Sequence, residues 1–116
     1  MKDKASTVLI SIKTNTEIVN LLKSGKKLNL PYLTLWLGKQ TNKSQIQYGL
    51  LVNKTQFKLA VERNKVKRQL RNILISSDLK GGIKILIKPN ATFSKRKYSQ
   101  IKEQLISTIS KYQNGK

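Results

Sequence analysis

General acid–base and metal chemistry rests mostly on histidine, cysteine, aspartate and glutamate. This sequence of 116 residues has no histidine, no cysteine and five acids: Asp3, Glu17, Glu62, Asp78 and Glu103. A two-metal hydrolytic site needs several carboxylates converging on ions a few ångströms apart. Here each acid is at least fourteen positions from the next, and each has an ordinary local role. Glu17 opens a helix, Glu62 begins a basic segment, Asp78 falls in a loop, and Glu103 sits among lysines on a helix. Without cysteine there is no disulfide, thiolate nucleophile or zinc–sulfur site. The expectation is a chain with no catalytic residues and no metal site of its own.

The basic residues point elsewhere. Lysine and arginine number 24, giving a net charge of +19. That excess opposes compaction and suits a polyanionic partner. The segment ERNKVKRQLRN (62–72) carries Arg63, Lys65, Lys67, Arg68 and Arg71 around Asn64. On a helix, Arg63/Lys67 and Lys67/Arg71 are like-charge i,i+4 pairs, each unfavourable by roughly 0.2–0.5 kcal/mol. Many basic helices are simply solvated on one face. Here, however, three of the chain's four arginines (Arg96 is the fourth) crowd into one helix, against twenty lysines overall. Arginine's planar fork matches phosphate bidentately, and an asparagine amide can reach sugar or base edges. The helix therefore reads as a nucleic-acid contact.

The remaining elements must position it. Thr14-Asn15-Thr16-Glu17 has capping-box spacing and predicts a helix over 15–24, stopped by Gly25. YLTLWL (32–37) alternates as a strand, GKQTNKSQ (38–45) reads as a hairpin loop, and IQYGLLV (46–52) reads as the returning strand. After a basic connection, a helix over 61–76 places Val66, Leu70, Ile73 and Leu74 on one stripe. Gly81-Gly82 breaks the chain before a strand at 83–88 that ends at Pro89-Asn90. Ser94 is expected to cap a last helix over 95–112, with Tyr98, Ile101, Leu105, Ile109 and Tyr112 down one side. The order α-β-β-α-β-α, over a single domain of residues 1–116, predicts a two-layer α+β sandwich with a small mixed sheet. The strand–helix–strand unit 46–88 should pair its strands in parallel.

Trp36 falls on the non-leucine face of its strand beside Tyr32, and Tyr48 could share that face from the next strand. Such rings near lysines can stack unpaired bases, with Lys54 as a neighbour for the backbone. Core packing under a helix is the competing reading of the tryptophan. No run of 18 apolar residues exists, and the N-terminal stretch lacks the features of a signal peptide, so a cytoplasmic protein with no membrane partner is expected.

Gly49-Leu50-Leu51-Val52, a basic connection and then Arg63-Asn64-Lys65-Val66-Lys67-Arg68 resemble the signature of the bacterial ribonuclease P protein family. The likeness spans residues 13–112. It includes the Asn-Thr-Glu helix start with Lys23-Ser24-Gly25, the Ile-Lys-Pro strand end and the last helix. The resemblance implies a protein subunit of an endoribonuclease whose catalysis belongs to its RNA, which removes the 5′ leader of precursor tRNA with Mg²⁺ held through RNA and substrate phosphates. It implies one protein per RNA. It also implies a left-handed strand–helix–strand crossover, an exception to the usual hand. Contact with the catalytic RNA maps onto Arg63, Asn64, Lys65, Lys67, Arg68 and Arg71, and contact with the precursor-tRNA leader onto Ile18, Leu22, Trp36 and Lys54.

The sequence departs from the family pattern in places. Lys65 stands where the third signature arginine is usual, Asn53-Lys54-Thr55 replaces Ser-Lys-Lys, and Gln47 replaces an arginine. Ile18 and Leu22 stand where relatives often carry phenylalanine. The rival readings are a ribosomal or general RNA-binding protein, which would be indifferent to the leader, and a stand-alone nuclease, which would cleave without RNA.

Overall fold

In the computed structural model, residues 8–12, 14–41, 43–77 and 79–115 are described. The elements are β1 (Val8–Ser11), α1 (Asn15–Ser24), β2 (Lys26–Leu30), β3 (Leu33–Lys39), β4 (Gln45–Leu50), α2 (Ala60–Ser76), β5 (Ile83–Pro89), a 3₁₀ turn (Ala91–Lys95) and α3 (Tyr98–Gly115). The strands form one mixed sheet in the order β1-β4-β5-β3-β2. β5 is central, parallel to β4 and antiparallel to β3. Its run of Ile83, Ile85, Leu86 and Ile87 is almost wholly excluded from water, as expected for a strand covered on both faces.

The expected α+β architecture, its mixed sheet and the parallel β4–β5 pair are all present. Three local expectations are corrected. First, β3 and β4 do not form a hairpin, because β5 lies between them. The 40–45 loop is instead welded to the start of β5: Gln40 N donates to Gly82 O (3.1 Å) and Gly82 N donates to Gln45 O (2.7 Å). Second, two edge strands, β1 and β2, are added. Third, α3 begins at Tyr98 rather than 95, because Asn90 starts the 3₁₀ turn by accepting from Thr92 N. Asp78 lies outside the described residues.

α2 and α3 cover one face of the sheet. Val66, Leu70, Ile73 and Leu74 of α2 join Ile101, Leu105 and Ile109 of α3 over Leu35, Leu37, Ile85 and Ile87, all nearly inaccessible. The i, i+4, i+7, i+8 spacing thus packs as expected. Tyr98 alone of the predicted α3 stripe is exposed. α1 covers part of the other face, where Leu21, Trp36 and Leu86 form a second cluster with Ile12, Ile18 and Leu51 against it. Thr14 caps α1 by accepting from Glu17 N. Gly25 ends the helix with extended backbone, and glycine suits the close packing there, because a Cβ would come within 2.6 Å of the Leu21 carbonyl oxygen.

Candidate RNA interface

α2 has two unlike sides. Its apolar stripe is sunk in the core, while Asn64, Lys65, Arg68 and Arg71 are exposed on the far side, and Arg63 and Lys67 sit half-buried on the shoulder. Val61, Asn72 and Ile75 share the exposed side. Sequence reasoning passed over them because none carries charge, although Asn72 directly follows Arg71 in the motif. The helix is therefore a rigid ruler for basic side chains, spaced by 1.5 Å per residue and held by four buried anchors.

Arg63 differs from its neighbours. Its guanidinium donates from Nη1 to the Phe57 carbonyl (2.9 Å) and the Lys58 carbonyl (3.2 Å), tying the preceding connection to α2. This matters because the Leu59 N-cap supplies no side-chain bond. Arg63→Ala is expected to lower folding stability by about 1 kcal/mol, whereas Arg68→Ala should leave the melting temperature within error; paired thermal melts test the contrast. The fourth arginine also has structural work: the Arg96 guanidinium lies 5.3 Å from the centre of the Tyr32 ring. Tyr32 is buried beside Phe93, and its hydroxyl donates to Gln104 Oε1 at 2.8 Å. Burial pushes the Tyr32 phenol above its usual range and Arg96 partly offsets that, so the donor stays protonated.

The second candidate region lies on the α1 face. Trp36 is 8% exposed and packs with Ile18 under α1, whereas Leu22 is 41% exposed. Core packing therefore accounts for most of the indole. The three aromatics do not share a face. Tyr32 turns into the core from the β2–β3 turn, and Tyr48, paired with Ile85, faces α2 and α3. Register puts Lys27, Trp36, Leu86 and Gly49 in one row across the sheet, with Asn29, Thr34 and Lys88 in the next. Lys27 Nζ is 6.0 Å from the Trp36 ring centre. Lys27 was missed because β2 was not foreseen; Lys88 was missed although its strand was, and the alternation in IKILIK (83–88) was the available signal.

Lys54 lies beyond the end of β4. Its turn is fixed by Asn53, which accepts from Gln56 N, and by Gln56, which accepts from Ala91 N. Lys54 thus sits at the same end of the sheet as Thr34 and Lys88, past Leu51, rather than among Ile18, Leu22 and Trp36. Gln47 donates to Glu17 Oε1 (3.3 Å) and accepts from Gln40 Nε2 (2.6 Å). Glu17 is therefore engaged in holding α1 on the sheet. Among the described residues, no three of histidine, cysteine, aspartate or glutamate come together, and no helix is long and apolar enough to cross a membrane.

This fold and surface define a class: a basic α+β protein with one helix anchored on the sheet and basic on its exposed side. The sequence matches the description of the Ribonuclease P family over residues 9–113. It is 29% identical over 102 residues to the ribonuclease P protein component of Pseudanabaena sp. (strain PCC 6903), covering 86% of this chain and 88% of that protein. It is 30% identical over 114 residues to the component from Rickettsia canadensis (strain McKiel), covering 89% and 97%. The fold is similar to that of the RNase P protein from Thermotoga maritima, with TM-score 0.73, 22% identity, and 84% and 93% of the two chains covered. It is equally similar to that of the Staphylococcus aureus protein, with TM-score 0.73, 21% identity, and 87% and 94% covered. The chain belongs to the ribonuclease P protein family, the protein subunit of a tRNA-processing ribonuclease.

Proposed function

We propose that the exposed side of α2 docks on the ribonuclease P RNA through Arg63, Asn64, Lys65, Lys67, Arg68 and Arg71, and that the sheet face beside α1 guides the 5′ leader of precursor tRNA. The observation that carries this reading is the division of α2 into a buried stripe and an opposite basic side. Ile18 and the edge of Trp36 floor the leader path, Leu22 borders it, and Lys54 and Lys88 meet leader phosphates. The RNA carries the catalysis, and Mg²⁺ is held by RNA and substrate phosphates. The assembly contains one protein per RNA and works in the cytoplasm. By neutralising phosphate, the helix lowers the Mg²⁺ needed to bring two RNAs together.

The leader path is tested by the affinity of the reconstituted RNA–protein complex for precursor and for mature tRNA. Tighter binding of the precursor, with the preference reduced in Lys54→Ala, is the expected result. Equal affinity for both would place this chain among general RNA-binding proteins.

A further inference from the structure

The end of the sheet opposite Lys54 carries a groove of about 1270 Å³. Lys26, Lys39, Lys43, Lys80 and Lys111 line it, with Tyr112 and apolar carbons of β2 and β5 in the lining. Among its described lining residues there are five ammonium groups and no carboxylate. These lysines come from four separate segments, and specific bonds draw the segments together. Gln113 on α3 clamps the Lys80 backbone, accepting from its N–H at 3.3 Å and donating to its carbonyl at 2.7 Å. A Cβ at Gly81 would run into the Lys43 carbonyl, and Gly82 has φ +85°, so the loop closes only with glycine there. The backbone is thus organised to hold like charges around a concavity, an arrangement that a bound polyanion would relieve.

We infer that this groove is a second RNA-docking surface, which takes a single-stranded segment of the ribonuclease P RNA. The inference rests on the proposed docking role of α2. The volume exceeds the 300–1,000 Å³ or so of small-molecule pockets, which suits a polymer. Lysines supply point charges without a fixed fork, and a ring set among them is the combination that single strands use. The proposed leader contacts Lys54 and Lys88 lie at the other end of β5, roughly 20 Å away at the usual rise per strand residue, which leaves the groove to the RNA that α2 docks. The end of α2 and the groove are near one another in the chain: the last turns of α2, with Arg71, Asn72 and Ile75 exposed, end at Ser76, four residues before Lys80.

Because the chain has no cysteine, single-cysteine variants can carry an iron chelate that cleaves nearby RNA. Thr41→Cys marks the groove and Asn72→Cys marks α2, each in the full chain bound to ribonuclease P RNA, with and without precursor tRNA. The expected result is cleavage of the ribonuclease P RNA from both positions, in different segments. If the α2 position cuts while the groove position cuts nothing, the same segment, or precursor tRNA alone, the groove inference is overturned and the α2 reading stands. If neither cuts, both fail. K43Q/K80Q/K111Q should lose about tenfold in RNA affinity and lower the salt slope by about 2, at 0.7 per single-strand phosphate contact. An equal loss in the charge-matched K95Q/K97Q/K102Q would reduce the groove to net charge and overturn it.

Discussion

Replacing Arg68 and Arg71 together by alanine is expected to weaken binding to ribonuclease P RNA about a hundredfold at 0.15 M salt, roughly tenfold for each lost charged contact. Both side chains are exposed on the side of α2 turned away from the core, and neither hydrogen-bonds to another described residue. The folded chain should therefore melt as before, which separates loss of contact from loss of structure. The slope of log K against log salt should become shallower by about 1.5, since each neutralised phosphate contributes 0.7–0.9. R68K/R71K is the informative companion. It keeps the charge and most of the slope, but the bidentate fork is gone, so its affinity should fall between parent and double alanine. Filter binding across a salt series reads both quantities, and a double-alanine affinity within threefold of the parent would show that α2 is not the docking surface.

Leu70→Ala should remove about 3 kcal/mol of folding stability. Leu70 is fully buried at the centre of the α2 stripe, between Val66 and Leu74 and over the sheet. A domain of this size has about 5–15 kcal/mol in total, and self-repulsion from +19 lowers that margin further. The variant is expected to melt about 10–15 °C below the parent, and to be largely unfolded at low salt. Sulfate should restore it, because an anion that binds only the folded state stabilises it by mass action. Differential scanning calorimetry with and without sulfate checks both parts. A melting point unchanged by the substitution would contradict the packing described, and one unchanged by sulfate would contradict the role given to charge repulsion.

What the sequence disclosed depended on how many residues each feature gathered in one place. α2 was legible because its four anchors and its basic side fall in one run with helical period, so face and charge could be read together. α1 was legible from Thr14, Glu17 and Gly25, although Glu17 closes onto Gln47 rather than back on its own cap. β2 was hidden because an edge strand buries only alternate residues, and Leu28 and Leu30 alone mark its inner side. The loop 38–45 looked like a hairpin because sequence neighbours usually pair. Only the strongly apolar β5 displaces that pairing, by taking the centre of the sheet. Trp36 was placed on a face correctly opposed to its leucines, but Tyr32 belongs to a turn, where strand alternation does not apply. The lysine groove joins positions 26, 39, 43, 80 and 111, so no local pattern could have revealed it.

The proposed division of labour, with this chain supplying binding surfaces and the RNA supplying the chemistry, has a direct test. The most direct measurement is leader removal from a precursor tRNA at low Mg²⁺, with the protein alone, a bacterial ribonuclease P RNA alone, and the two together. Cleavage at the mature 5′ end is expected only when both are present, and R68A/R71A should weaken it. Cleavage by the protein alone, or no stimulation of the RNA despite tight binding, would contradict that division of labour.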